Sequence, residues 1–239
     1  MKRTSLAALA VTTLVGPALA QVQQVVPTDR DTQAGNGAFL GVLSNAVRRY
    51  QLLIDEGELT SLVGLPLTGF SVRLLPSASS PFPAVDTTWA DYDVFLGAGV
   101  DPSLRSLTFA DNRVGPQTQV RDGALTIPAG SYGVGTNPQP FGPDIAFDTP
   151  FTYTGGDLLL ELAHSTSDAS SASNDAITAT GTTLGYGTRF SGAWSSSLTS
   201  LTGSQGNFTI VRFTAVPEPA SASVALAGIM LLALRRRTR

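Results

Sequence analysis

The chain has 239 residues, a formal net charge of −3 at pH 7 and no cysteine. Between residues 21 and 216 it holds nine arginines, no lysine and 17 of the 18 acidic residues, so this body carries a net charge of −8. That charge disfavours nucleic acid and anionic membrane surfaces as partners, because both reward basic patches. The lack of cysteine excludes disulfides, thiolate zinc sites and cysteine nucleophiles.

The first 20 residues have the layout of a secretory signal peptide. Lys2 and Arg3 form a positive start, and Leu6–Val15 is an apolar segment. Ala18–Ala20 is a small-x-small site, which predicts cleavage before Gln21. We therefore expect the body of the protein to be exported.

Residues 38–215 predict an all-β domain that follows a flexible, polar leader over residues 21–37. Apolar side chains recur with a period of two in short segments such as Val47–Ile54 and Phe70–Leu74, which is typical of strands. Turn-forming residues separate these segments. The pattern favours an antiparallel β-sandwich, jelly-roll-like. A short helix over Ala38–Arg49 stays an open alternative.

One β-hairpin is predicted in the second half of the domain. Phe147–Tyr153 and Asp157–Leu162 each place apolar side chains on one face, and Gly155-Gly156 lies between them. Pro150 limits the first of these strands to the edge or the start of a strand, because proline has no N–H to donate.

The acidic and histidine residues do not predict a catalytic site. His164 is the only histidine, which excludes multi-histidine metal sites, and we interpret it as a surface or strand-end residue. Asp91 with Asp93 and Asp157 with Glu161 share a strand face, a spacing that suits the paired carboxylates of glycosidases. Solvent-facing acids on a sheet are far commoner, so we predict no catalytic residues.

A structural calcium ion is the one cofactor that the sequence leaves open. Loops rich in aspartate and asparagine suit a hard cation, and no pattern singles out its ligands. The candidate ligands are Asp86, Asp101, Asp111, Asn112, Asn174 and Asp175.

Three aromatic residues are candidates for contact with carbohydrate. Trp89, Tyr92 and Trp194 lie in or near segments rich in glycine and serine, where an exposed ring can stack on a sugar. The alternative interpretation is that these rings belong to the core or its rim.

The last 24 residues are the most informative part of the chain. Val216-Pro217-Glu218-Pro219 is followed by the apolar segment Ala220–Leu234 and then by Arg235, Arg236, Arg237 and Arg239. The prolines keep their motif extended and accessible. The apolar segment spans about 22 Å as a helix, which is short for a bilayer core of about 30 Å but sufficient if the bilayer thins. It predicts a C-terminal transmembrane helix over residues 220–234, with the arginines on the cytoplasmic side.

This C-terminal layout resembles the PEP-CTERM sorting signal of Gram-negative bacteria. The resemblance implies recognition by an exosortase, cleavage near Pro217–Pro219, and release or transfer to the cell surface or extracellular matrix. An ordinary tail anchor is the alternative. The body also resembles a group of secreted, PEP-CTERM-tagged proteins of unknown function, and this resemblance implies no activity. The segments that carry it are Arg49–Gln51, Asp91–Leu96, Pro150–Glu161 and Asn207–Phe213.

Together these features predict an exported protein that is held transiently at the inner membrane with its body in the periplasm. Its expected partners are the exosortase and the export machinery, with exopolysaccharide as a further candidate and nucleic acid excluded. The favoured function is that of a structural or adhesive surface or matrix protein associated with biofilm, without catalysis. A carbohydrate-binding module is the first alternative, and a glycan hydrolase is the second.

Overall fold

A computed structural model describes residues 21–217 of the chain. Short segments with alternating apolar residues form strands, and one-turn 3-10 helices occur in the connections between them. The strands of this part are β1 (Val22–Val26), β2 (Gly37–Phe39), β3 (Arg48–Ile54), β4 (Pro66–Val72), β5 (Thr87–Trp89), β6 (Tyr92–Ala98), β7 (Thr118–Arg121), β8 (Leu125–Ile127), β9 (Ile145–Thr152), β10 (Leu158–His164), β11 (Asn174–Ile177), β12 (Phe190–Ser195), β13 (Ser204–Gln205), β14 (Phe208–Thr209) and β15 (Val211–Ala215). The 3-10 helices are Thr28–Arg30, Glu56–Glu58, Thr60–Leu62, Pro102–Leu104, Phe109–Asn112 and Thr182–Leu184.

All strand pairs in these sheets are antiparallel. The six-stranded sheet has the order β13-β12-β3-β10-β6-β7, and the four-stranded sheet has the order β1-β15-β4-β9. Two small sheets, β14-β11-β2 and β5-β8, complete the described part. The prediction of an all-β, antiparallel domain is therefore confirmed.

One apolar core joins the two large sheets. Leu52, Val94 and Leu160 of the six-stranded sheet belong to the same buried cluster as Phe70 and Phe213 of the four-stranded sheet. Burying a side chain of this size contributes about 1.5–3 kcal/mol. The core is thus the main support of a domain that has no disulfide.

The six-stranded sheet is buried on its second face as well. Leu53, Leu159 and Glu161 alternate with the core residues of β3 and β10, and they too are almost fully buried. The segment that contains Phe109–Asn112 lies over this face, because Gln51 Nε2 donates to Phe109 O at 3.1 Å. Burial on both faces explains why β10 begins with three consecutive leucines, Leu158–Leu160, rather than with a simple alternation of apolar and polar residues.

The described fold class is all-β, without the transmembrane helix that the fold-class prediction added to it. No helix among residues 21–217 is long and apolar enough to cross a membrane, and the helices there are single 3-10 turns. The segment predicted as a transmembrane helix, residues 220–234, lies outside the described residues. Beside the two large sheets, the short strands β5 and β8 pair with each other.

The flexible leader was also a wrong prediction. Residues 21–37 contain β1 and the 3-10 helix Thr28–Arg30, and they end where β2 begins. β1 is held by five paired positions along β15. The open alternative of a helix over Ala38–Arg49 is not realised, since this range joins β2 to β3 through turns.

The predicted hairpin exists as two strands with different partners. β9 pairs with β4, whereas β10 lies between β3 and β6 in the other large sheet. Gly155 and Gly156 both have positive φ, at +102° and +85°, and they turn the chain from one sheet to the other. β9 is an edge strand, as Pro150 predicted.

Candidate functional site

Two of the three aromatic residues proposed for carbohydrate contact belong to the core. Trp89 and Tyr92 are fully buried and pack edge to face with their ring centroids 5.8 Å apart. Trp89 Nε1 donates to Ser44 O at 2.8 Å, and the Tyr92 hydroxyl donates to Val42 O at 3.0 Å. Neither ring offers a face to a ligand, so the assignment of these two residues to sugar binding was wrong.

Trp194 is half-buried and differs from the other two rings. It lies near the end of β12, where Phe39 packs against it edge-on at 5.9 Å. The Arg48 guanidinium lies 5.0 Å from its ring centroid, within the range of a cation–π interaction. Arg48 thus lies over one face of the Trp194 ring.

His164 ends β10, as predicted, but it is fully buried rather than exposed. Its ring stacks on Tyr92 at 5.0 Å, with Nδ1 2.8 Å from Ser165 O and Nε2 3.1 Å from Gly41 O. Burial lowers the pKa of His164, and the two carbonyl oxygens oppose this shift. A neutral imidazole can donate to only one of them. The position is that of a core residue.

The carboxylates of Asp157 and Glu161 serve separate structural purposes. Asp157 Oδ1 accepts a hydrogen bond from Glu56 N at 3.0 Å, and burial raises the pKa of this carboxyl. Glu161 is buried on the second face of the six-stranded sheet. The two side chains share no partner in the described part of the chain.

Glu161 is the centre of a buried polar cluster. Arg49 Nε donates to one of its oxygens at 2.8 Å, and Arg113 Nη2 donates to the other at 2.8 Å. Gln51 Nε2 donates to that second oxygen at 2.7 Å, and Gln51 Oε1 accepts from Asn112 Nδ2 at 2.8 Å. This cluster fastens the segment around Phe109–Asn112 to the sheet, which is a structural function.

The candidate calcium ligands do not come together. Asp175 forms an ion pair with buried Arg73 at 2.9 Å, and Asp101 accepts from Ser103 N at 2.8 Å at the start of a 3-10 helix. Asn112 belongs to the Glu161 cluster. Asp86 accepts from Ala129 N, Asp111 accepts from Ser106 Oγ, and Asn174 is buried with no partner for its side-chain amide among residues 21–217.

Three other acidic side chains do converge. One carboxylate oxygen each of Asp91, Asp93 and Asp122 lies within 4.8 Å of the others. Asp93 is half-buried, and burial followed by the charge of Asp91 raises its pKa. The sequence spacing predicted that Asp91 and Asp93 share a strand face. Asp122 lies near them only because β7 pairs with β6. Oxygen ligands of this kind suit a hard cation.

The first part of the predicted sorting motif follows β15 directly. Val216 N donates to Pro66 O at 3.2 Å, so the ordered backbone continues one residue beyond the strand. Val216 and Pro217 are half-buried. The rest of the motif, Glu218 and Pro219, and the arginines Arg235, Arg236, Arg237 and Arg239 lie outside the described residues.

A polar recess that the sequence did not predict lies at the edge of the four-stranded sheet. It has a volume of about 280 Å³. Glutamine, threonine, aspartate and arginine side chains form most of its wall, from β1, the following 3-10 helix and β15. Its lining residues are Gln23, Gln24, Val25, Thr28, Asp31 and Arg212.

Comparisons of the chain with protein-family models, with curated proteins and with solved structures found no match.

Proposed function

We propose that the protein is an exported, exosortase-processed component of the cell surface or extracellular matrix that acts structurally, without catalysis. The C-terminal layout around Pro217–Pro219 supports processing by an exosortase of the inner membrane. The net charge of −8 on the body supports a soluble, surface-exposed domain.

The pairing of the first and last strands carries this proposal. Val22 of β1 lies opposite Ala215 of β15, and residues opposite each other in such a ladder have Cα atoms about 4.5–5.5 Å apart. The predicted cleavage site before Gln21 and the motif that begins at Val216 therefore flank neighbouring strand ends. Both cuts fall outside the paired residues, so processing at both ends leaves every strand of the domain intact.

The experiment is an intact-mass measurement on protein recovered separately from membranes and from the extracellular fraction of the native host. We expect an extracellular species that begins at Gln21 and ends within Pro217–Pro219. A species found only with membranes and retaining Arg239 would contradict the proposal.

A strain that lacks the gene tests the structural part of the proposal. We expect weaker cell aggregation or biofilm, restored by the wild-type protein and not by a variant with alanine at Pro217–Pro219. Turnover of a glycan panel by the purified protein, lost in Asp91→Asn or Asp157→Asn, would replace the structural function with a hydrolytic one.

A further inference from the structure

The recess at the edge of the four-stranded sheet contains an arginine, Arg212, that forms no ion pair within the described part of the chain. Arg212 lies on β15 directly opposite Val25 of β1 and Ser71 of β4. Its neighbours Val211 and Phe213 point into the core, so Arg212 lies on the outer face of the sheet. It is the only cationic side chain that lines the recess.

The hydrogen-bonding capacity of Arg212 is unused within residues 21–217. It forms no ion pair there, whereas Arg30, Arg73 and Arg189 nearby all do. Arg212 Nε is buried without a partner, as are the hydroxyl oxygens of Ser71 and Thr214 of the same sheet. Buried polar groups are usually paired, so three such atoms mark this face as unusual.

The guanidinium of Arg212 is also held in place. It lies 4.7 Å from the ring centroid of Phe141, which restricts its motion by cation–π stacking. A preorganised, planar guanidinium is suited to bidentate binding of a carboxylate, and less ordering entropy is lost when it binds.

The other groups of the recess suit hydroxyls. The side chains of Gln23 and Thr28 are exposed at its wall and can both donate and accept. Asp31, also exposed, supplies an acceptor. A volume of about 280 Å³ lies just below the range of about 300–1,000 Å³ found for pockets that hold drug-sized ligands, so the recess suits a ligand as small as one sugar ring.

We propose that this recess binds a carboxylated sugar residue of an extracellular polysaccharide, with the carboxylate on Arg212 and ring hydroxyls on Asp31 and Thr28. This inference rests on the proposed surface or matrix function, for which it names the ligand class. It gives the domain a point of attachment to an acidic polysaccharide without catalysis.

The negative charge of the body does not prevent this interaction. At physiological salt, charges more than about 8 Å apart are largely screened, so the local charges decide. Near the recess, the ion pairs are Asp29–Arg30, Glu58–Arg189 and Asp175–Arg73. Among residues 21–217 this leaves Arg212 and Asp31 as the charges of the recess without an ion pair. A ligand with one carboxylate and several hydroxyls matches this pair.

The test is calorimetric titration of the protein purified from whichever fraction of the native host contains it. The probes are a glucuronic acid trisaccharide, a galacturonic acid trisaccharide, a neutral glucose trisaccharide, acetate and glutamate. We expect saturable binding of at least one uronic acid trisaccharide and none of the neutral one. Arg212→Gln should weaken that binding at least about tenfold, as expected for a lost hydrogen bond to a charged group.

Two further variants separate the proposal from its alternatives. Arg105→Gln is the matched control, because Arg105 is also half-buried and also forms no ion pair in the described part of the chain. The affinity of this variant for the uronic acid trisaccharide should equal that of the wild type. Asp31→Asn should weaken uronic acid binding, because it replaces one acceptor oxygen with an N–H₂ donor and turns a charged acceptor into a weaker neutral one. It should strengthen acetate binding, because acetate has no hydroxyl to lose and the repulsive charge is gone. This variant keeps the test valid if Arg212→Gln fails to fold by circular dichroism.

Three results would overturn the proposal. The first is that neither uronic acid trisaccharide binds saturably in the millimolar range. The second is that the neutral trisaccharide binds as tightly as the uronic acid trisaccharides. The third is that glutamate binds more tightly than they do and that Asp31→Asn abolishes this binding. The last result would assign the recess to an amino acid. Each leaves the masses of the extracellular species unchanged, so failure here is distinct from failure of the proposed surface function.

Discussion

Replacing Glu161 with glutamine should destabilise the domain by about 3 kcal/mol. The change keeps the shape of the side chain but removes a charge that is only 3% exposed and that two arginines contact at 2.8 Å. It also places an amide N–H₂ where only donors point, since both oxygens of Glu161 accept. Breaking a buried ion pair costs about 3–5 kcal/mol. We expect the lower end of this range, about 3 kcal/mol, because the Arg113 side chain is 35% exposed and can be hydrated.

Urea denaturation with linear extrapolation measures this loss. For a domain of this size, about 3 kcal/mol corresponds to a melting temperature lower by about 6–12 °C. Asp157→Asn is the matched control, because its carboxylate is half-buried next to the start of the same strand and accepts one backbone hydrogen bond; it should cost about 1 kcal/mol or less. If Glu161→Gln lowered the free energy of unfolding by less than about 1 kcal/mol, the conclusion that the Glu161 cluster holds the segment around Phe109–Asn112 against the sheet would be refuted.

The pH dependence of stability should report on His164, the only histidine of the chain. Burial lowers its folded-state pKa below the unfolded value of about 6.5, so the unfolded state binds a proton first and stability falls as the pH drops below about 6.5. Urea midpoints at pH 7.5 and 5.5 should show this loss in the wild type and not in His164→Gln; equal losses in both would contradict it. Leu160→Asp should abolish cooperative melting, because Leu160 is fully buried opposite Leu52 and Leu96, and a native-like melting curve would show that this face is misassigned. Alanine at Pro217–Pro219 should leave full-length protein in the membrane fraction by intact mass, and unchanged release would contradict exosortase processing.

Local alternation predicted strands well where the pattern was long. The segment Val47–Ile54 became β3 (Arg48–Ile54), and Pro150 correctly indicated an edge strand. Period-two patterning reflects burial on one face, which the residues of a segment carry themselves. Strand class and the antiparallel character could therefore be read without knowledge of the partners.

Strand partners could not be predicted in the same way. Gly155-Gly156 between two apolar strands is the signature of a hairpin, yet these glycines carry the chain between sheets. A turn sequence specifies backbone dihedral angles and not the strand that is met afterwards. Trp89 and Tyr92 show the same limit, because their burial depends on segments distant in sequence that supply the acceptors Ser44 O and Val42 O.

The missed strand and the missed recess have one cause. Val211-Arg212-Phe213 reads as an ordinary strand with one polar side chain facing solvent, and nothing in it suggests a binding group. Arg212 becomes part of a recess only when β1 pairs beside it, since β1 and the residues that follow bring Gln23, Thr28 and Asp31. Residues 21–37, which contain β1, were predicted to be a flexible leader because they are polar and contain glycine and proline. The same ladder pairs Val22 with Ala215, the strand ends that the two proposed processing sites flank, so β1 bears on both the proposed export route and the proposed attachment to polysaccharide.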